Sequence, residues 1–476
     1  MISPVTTGKI FSILGNSDSL IPMGIKDTAN SLGLTAASYI TGQSAESQDR
    51  FIDEFGTMAI WLLGIPAYKK VLDWVMFKPL GYDAGVDVRV LQDPEVYDLA
   101  KKYAKQHDEK YAANKNVKKI SESLEKITSK QRVFKGLTFG KFVASTALTI
   151  LSYGALTKFR HDYRENKIKK EFYEKQAKEE TAKKLNVVSS ANQKPVNNGK
   201  TSFTGGIQDF MFSPVKNMML VDGAITGQRL IDSKNGQEFF QYCIKEGFFW
   251  FFMYFAGAKV QNYLTKHSLH KNNLPIDLDS RALASDELKN ALLGNNIMHS
   301  VNEFPVSNNP TNAEIFRFVN ENPDNLVVKM SKESGIVKTV KENQGLFKKA
   351  IDTGSVDTRK YIDPQEVIGV KDKLKALYDK GQEFIQKEAD AMGKKVSELT
   401  DADKTKLLER YFEKVKRGNG WASIKSIGAC IGVLGILMPA IIVGWRFLDK
   451  DNKGYRVRED IEKQLKAEIA SAGSTK

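Results

Sequence analysis

Four apolar blocks break an otherwise polar, lysine-rich chain, and their lengths predict helices. Block 426–445 runs for about 20 residues without a charge, matching a hydrocarbon core of about 30 Å at about 1.5 Å per helical residue. Block 142–157 continues back through Gly140 to Leu137 with only Lys141 interrupting, so it reaches spanning length if that lysine snorkels. Both are expected to cross a membrane. Block 55–68 is shorter, contains Gly64 and Pro66, and ends at Lys69 and Lys70. Block 247–258 is intensely aromatic, with Phe248, Phe249, Trp250, Phe251, Phe252, Tyr254 and Phe255, and follows directly on Lys245 and Glu246. These two either span or lie on the membrane surface or beneath the longer helices.

The polar stretches divide the chain further. A charged helical extension runs to about residue 185, and 186–206, rich in Ser, Asn, Gly and Lys, reads as a linker. Residues 309–417 read as a water-soluble helical insert, clearest at 364–391 and at 400–416, where Thr400 and Asp403 form a capping pair. In the tail, Val457, Ile461, Leu465 and Ile469 place one apolar stripe on an amphipathic helix. The expected segments are therefore 1–175, a first membrane-associated half; 176–206, extension and linker; 207–298, the start of a second half; 299–417, the soluble insert; and 418–476, a transmembrane helix with the amphipathic tail.

Sliding the sequence against itself by 192 positions aligns Ile52 with Ile244, Glu54 with Glu246, Leu72 with Leu264, Asp87 with Asp279, Arg89 with Arg281, Leu91 with Leu283 and Glu95 with Glu287, without a gap. Order repeats as well as identity. Each half has a short apolar block, a basic exit, an Asp-x-Arg-x-Leu element, a helix start at Asp93-Pro94 or Ser285-Asp286, and later a long apolar helix. Such a pattern predicts an internal duplication. The fold class expected is all-α: a helical membrane protein with two to four membrane-embedded helices, a duplication and a soluble helical insert.

A net charge of +14 suits anionic lipid headgroups, nucleic acid or an acidic partner. Many basic residues flank the apolar blocks, as Lys158, Arg160, Arg164, Lys167, Lys169 and Lys170 do, and no nucleic-acid motif occurs, so lipid is the expected partner. Only Cys243 and Cys430 are present, each in or beside an apolar block, which argues against a disulfide framework. The first thirty residues, with Lys9, Asp18, Lys26 and Asp27, carry no apolar core of signal-peptide length.

Glu54, Lys245 and Glu246 lead into short apolar blocks, where an ionisable group is costly unless paired or hydrated, so they are the first functional candidates. The simpler reading makes them helix-end charges at the membrane surface. Asp87 with Arg89 and Asp279 with Arg281 form either a duplicated charge site or local salt bridges that position the following helices. Other motifs fail on spacing. Asp449, Asp451 and Gly454 open like a calcium loop, but Lys453 stands where an oxygen ligand belongs and Asp460 where a bidentate Glu belongs. Gly199, Lys200 and Thr201 lack the earlier glycine of a phosphate loop, Lys194 standing in its place. His267 and His270 share a helix face without a third ligand. No catalytic, cofactor or metal set is expected, and an enzyme is unsupported.

The stretches Arg50-Phe51-Ile52-Asp53-Glu54-Phe55, Ala144-Ser145-Thr146-Ala147-Leu148-Thr149 and Asn217-Met218-Met219-Leu220-Val221-Asp222-Gly223 resemble a group of uncharacterised bacterial membrane proteins. That resemblance implies a bacterial cytoplasmic membrane and carries no activity, cofactor or site residue. The function expected is a membrane-anchored scaffold or interaction protein that meets lipid headgroups, and a protein partner through the insert or the C-terminal helix. Its rival is a small transporter or channel built from two related halves, with Glu54 and Glu246 facing each other.

Overall fold

The computed structural model describes residues 20–40, 44–180, 211, 214–231, 233, 236–255, 259, 263, 266–267, 278–305, 310–345, 348–448 and 457–473. Helix dominates them, so the all-α expectation holds at that level. The linker 186–206, Gly199 to Thr201, His270 and residues 449–456 lie outside the described residues.

Two compact units form, and neither is continuous in sequence. The first gathers Lys70–Phe142 and Lys259–Gly428, together with residues up to Pro22; the second gathers Met23–Lys69, Val143–Ala258 and Ala429–Lys476. The consecutive division expected from composition is therefore replaced by an interleaved one, whose four switches between Lys69 and Gly428 fall at or inside the edges of the four apolar blocks.

In the first unit the expected insert packs on the segment 70–142. Helix Asn312–Glu321, opened by a Thr311–Glu314 capping box, lies on Pro94–Lys110, where Asp93 accepts from the Glu95 and Val96 amides. Tyr103 donates to Glu321 Oε1 at 2.6 Å, and Tyr111 donates to the Thr353 carbonyl at 3.1 Å. Helices Ile297–Glu303 and Leu326–Glu333 pack on Pro364–Ala391, burying Val327, Leu374 and Leu377. One feature departs from the helical insert. Thr339–Glu342 pairs antiparallel with Ile351–Val356, Lys341 opposite Asp352; Val340 and Val356 each turn an apolar side chain to the core, while Lys341, Ile351 and Asp352 are exposed.

Caps follow the sequence unevenly. Thr400 Oγ1 accepts from the Asp403 amide at 3.2 Å, and helix Asp401–Gly432 starts there. It runs past residue 416 and on into the fourth block. Ser285 occupies the cap position before Asp286–Leu293, but its hydroxyl makes no capping bond.

In the second unit, helices Leu20–Ile40, Ser44–Ala59, Pro214–Ile231 and Gly236–Trp250 assemble with the latter part of the 50-residue helix Gln131–Glu180 and with Met438–Leu448. Leu34, Met438 and Ile442 make one apolar cluster, and Tyr153, Val221 and Ile225 another. Wide π turns at Ile60–Gly64 and Val433–Leu437 precede Pro66 and Pro439. A proline lacks the N–H that would bond the carbonyl four residues back, and the widened turn absorbs that missing bond. Two helices, Gln131–Glu174 and Asp401–Trp445, are long and apolar enough to cross a membrane.

Candidate functional site

Helical spacing sets out charges on four faces of the second unit. Asp49 and Asp53 lie one turn apart on Ser44–Ala59, Arg160 and Arg164 one turn apart on the long helix, and Asp222, Thr226 and Arg229 along one face of Pro214–Ile231. Lys245 and Glu246 come from Gly236–Trp250.

These side chains close into a chain of alternating charge. Arg164 Nη1 sits 3.0 Å from Asp49 Oδ2, and Arg160 Nε 3.4 Å from Asp49 Oδ1. Arg160 Nη1 then reaches Asp53 Oδ2 at 2.7 Å, which Arg229 Nη2 also approaches at 3.2 Å. Arg229 Nη1 meets Glu246 Oε1 at 2.6 Å, Lys245 Nζ lies 3.5 Å from the same oxygen, and Lys245 also pairs with Glu54. Arg50 adds a fifth cation, stacked over the Tyr242 ring with 5.4 Å to its centroid. Neutral donors finish the arrangement. Thr226 donates to Glu246 Oε2 at 3.0 Å and receives the Trp250 indole N–H at 3.0 Å, while Arg229 Nε donates to the Tyr153 hydroxyl at 2.9 Å.

Glu54, Lys245 and Glu246 are thus together, at 5%, 3% and 4% exposure, rather than standing as separate helix-end charges in water. Lone charges would not survive such burial, and mutual pairing keeps each of them from carrying an uncompensated desolvation penalty. Their partners Asp53, Arg160 and Arg229 were not singled out as site residues by sequence. Nor were two further buried acids. Asp27 accepts from the Trp61 indole at 3.1 Å, and Asp222 accepts from the Tyr254 hydroxyl. A cavity of about 20 Å³ lies among them, lined by Asp27, Asn30, Glu54, Asp222, Arg229 and Glu246; that is room for one water. Among the described residues no group of His, Cys, Asp and Glu has metal-binding geometry.

Asp87, Arg89, Asp279 and Arg281 belong to the first unit. Asp87 accepts from the Arg89 amide at 2.9 Å and holds the Arg89 guanidinium at 2.8 Å; Asp279 does the same for Arg281 at 2.8 and 2.9 Å. Both carboxylates cap a short helical turn, Val88–Leu91 and Ser280–Leu283. A third copy of the geometry occurs at Asp357 and Arg359, with Nε and Nη2 each 2.8 Å from the carboxylate. Arg359 Nη1 also reaches Asp83 Oδ2 at 2.7 Å, and Lys118 Nζ reaches the same oxygen at 2.8 Å. Burial alone would push the Asp83 carboxyl up, but Lys118, Arg359 and the Gly85 amide hold it well below the usual carboxylate range.

No protein-family model, curated protein or solved structure matches the chain.

Proposed function

We propose that this chain is an integral protein of a bacterial cytoplasmic membrane, crossing it at all four apolar blocks and working as an anchored interaction protein. The carrying observation is the Tyr111–Thr353 hydrogen bond, which ties segment 70–142 to segment 259–428 inside one unit. Groups in hydrogen-bond contact lie on the same side of a bilayer, so the chain between them crosses an even number of times. Block 142–157 is one crossing, which makes block 247–258 the return. Each block also leaves large apolar side chains uncovered, as lipid-facing helices do: Leu63, Leu151, Phe251 and Ile436 are 66%, 68%, 54% and 68% exposed.

Repeated elements support a duplication and the same crossing pattern in each half. Ser44–Ala59 and its π turn Ile60–Gly64 recur as Gly236–Trp250 and Phe251–Phe255, and Val88–Leu91 recurs as Ser280–Leu283, all within one residue of the 192-position offset.

The interaction role is supported by cavity size. Among the described residues, two small spaces of the second unit, about 20 and 10 Å³, have room for about one water each but not for an organic substrate. By contrast, the first unit carries an open groove of about 1010 Å³ lined by Trp421, by five cations between Lys406 and Lys425, and by Glu388, Glu409 and Glu413, so cations exceed anions there by two. Trp421 is exposed and lies five residues before Ser426 on the same helix, so cations and an aromatic ring lead into the uncharged block as they do where helices enter a headgroup layer. That excess of cations beside an aromatic ring is what supports anionic headgroups as the partner.

Single-cysteine accessibility in a background lacking Cys243 and Cys430 tests the topology. Probes at residues 110 and 350 are expected on one side, and those at 30, 190 and 470 on the other. Finding 110 and 350 on opposite sides removes the four-crossing reading, and release of the protein from membranes by alkaline carbonate removes the membrane itself.

One observation favours a second reading, a channel for protons or small ions made of two related halves. Glu54 and Glu246, equivalent under the 192-position offset, line the same polar cavity. Substituting both with glutamine is expected to abolish a flux in reconstituted vesicles, and no flux from the unmodified protein discards this reading.

A further inference from the structure

We propose that Asp27 and Asp222 form a proton-binding site in the second unit, the two carboxyls holding protons at neutral pH beside a single lodged water. The inference stands on the cavity and its charges and does not require that ions be transported.

Partners separate the buried acids into two kinds. Asp49, Asp53, Glu54 and Glu246 each touch at least one of Arg160, Arg164, Arg229 and Lys245. Four carboxylates meet these four cations, and the fifth cation, Arg50, stacks on the Tyr242 ring and acts on Asp53. Asp27 and Asp222 receive only neutral donors, the Trp61 indole and the Tyr254 phenol, and among the described residues neither forms an ion pair. Asp27 faces Glu54, Lys245 and Asp222 from the neighbouring helices. Asp222 faces Glu246, Arg229 and Tyr254. The cations in both surroundings are already engaged by carboxylates, so a charge on either Asp adds an uncompensated anion to a space shared with Glu54 and Glu246. An acid in that position neutralises by taking up a proton.

Asn30 supplies the other half of the site. It lies three residues after Asp27 on the same helix face, lines the cavity, and is 1% exposed; its Oδ1 accepts no hydrogen bond among the described residues. A buried acceptor without a partner calls for a hydrogen-bond donor. A protonated carboxyl, or a water relaying from it, provides one, and the cavity has the volume for that water. Uptake forms one O–H bond on a carboxylate oxygen and breaks one in the hydronium that delivers the proton, with no electron transfer.

The test is infrared difference spectroscopy of the full-length protein in detergent, titrated from mildly acidic to alkaline pH, in the carboxylic-acid C=O region. The unmodified protein is expected to show a protonated-carboxyl band that fades as pH rises, partly lost in Asp27→Asn and in Asp222→Asn and fully lost in the double variant. An identical band in the double variant, or none in the unmodified protein, overturns the proposal. Folding gives an independent reading. Because an amide mimics a protonated carboxyl in shape and charge, both asparagine variants are expected to fold and melt as the unmodified protein does at neutral pH, and collapse of either would show that the site needs anions.

Discussion

Arg229 and Asp53, 176 residues apart in the chain, meet with Nη2 3.2 Å from Oδ2, and both are buried. Arg160 shares the same carboxylate oxygen, so Asp53 is the anion that joins the Arg160–Asp49 pair to the Arg229–Glu246 pair. Asp53→Asn leaves both cations short of a partner in a dry interior, which costs roughly 3–5 kcal/mol. Thermal unfolding of the detergent-solubilised protein is expected to shift down strongly for Asp53→Asn and hardly at all for Asp27→Asn. Equal shifts would show that the two acids are not of different kinds.

A second prediction concerns close helix approach. A Cβ at Gly33 would come within 2.7 Å of Pro439 Cγ, and one at Gly435 within 3.0 Å of the Ala29 carbonyl. The backbones are therefore near enough that only glycine fits, as in small-residue helix contacts within membranes. Gly33→Val is expected to lower the melting temperature, while Gly154→Ala, where the added methyl meets nothing within 4 Å, leaves it unchanged or raises it by the equivalent of about 0.5–1 kcal/mol.

Glu54, Lys245 and Glu246 were legible as site residues because charge set against an apolar run stands out in one dimension. Asp27 and Asp222 were not, for their helices contain no long apolar run: Gly24, Ala29 and Gly33 in one, and Gly223, Ala224 and Gly227 in the other, dilute the hydropathy that would have flagged them. A lone acid in the middle of a small-residue helix, twice over, was the available signal. Pro22 and Pro214 share the 192-position offset, but no residue after them in the two helices does, and Asp27 falls opposite Met219 and Asp222 opposite Asn30, so the repeat does not pair the two acids. The Asp357-Thr358-Arg359 element escaped because Tyr361 replaces the leucine that marks the other two copies. Interleaving of the units was beyond reach of composition. It depends on contacts such as Arg317 with Glu95, 222 residues apart, and no local pattern records those.

Acid sensitivity of the first unit is expected to centre on Asp83. Its carboxyl is held below the usual range by Lys118, Arg359 and Gly85 against the opposing effect of burial. A depressed folded-state pKa gives stability that is fully present above the unfolded value of about 3.9 and is lost as pH falls further toward the folded one. Hydrogen exchange in residues 83–91 and 357–362 is expected to accelerate below about pH 4 in the unmodified protein. Asp83→Asn removes charged hydrogen bonds worth roughly 1.5–3 kcal/mol each and is expected to make exchange fast already at neutral pH, with little further change on acidification. An unaltered acid response in that variant would assign the sensitivity to other carboxyls.

The three Asp-x-Arg elements allow a graded comparison within one unit. Asp87, Asp279 and Asp357 each accept from the amide two residues on and grip the guanidinium of the same arginine. What differs is where the arginine leads. Arg89 stacks over the Tyr361 ring, with 4.5 Å to its centroid, Arg281 donates to the Ser334 carbonyl, and Arg359 joins the buried Asp83 cluster while its carbonyl accepts from the Asp87 amide at 2.8 Å. If the carboxylates act only as local caps, alanine at any of the three costs about 1 kcal/mol. If they orient the arginine, Asp357→Ala is the most damaging, since it leaves Arg359 half-paired in a buried position where broken charge pairs cost roughly 3–5 kcal/mol. Urea unfolding followed by exchange at residues 83–91 is expected to give that order, Asp357 well above Asp87 and Asp279. Three equal effects would reduce the element to a helix cap that happens to recur.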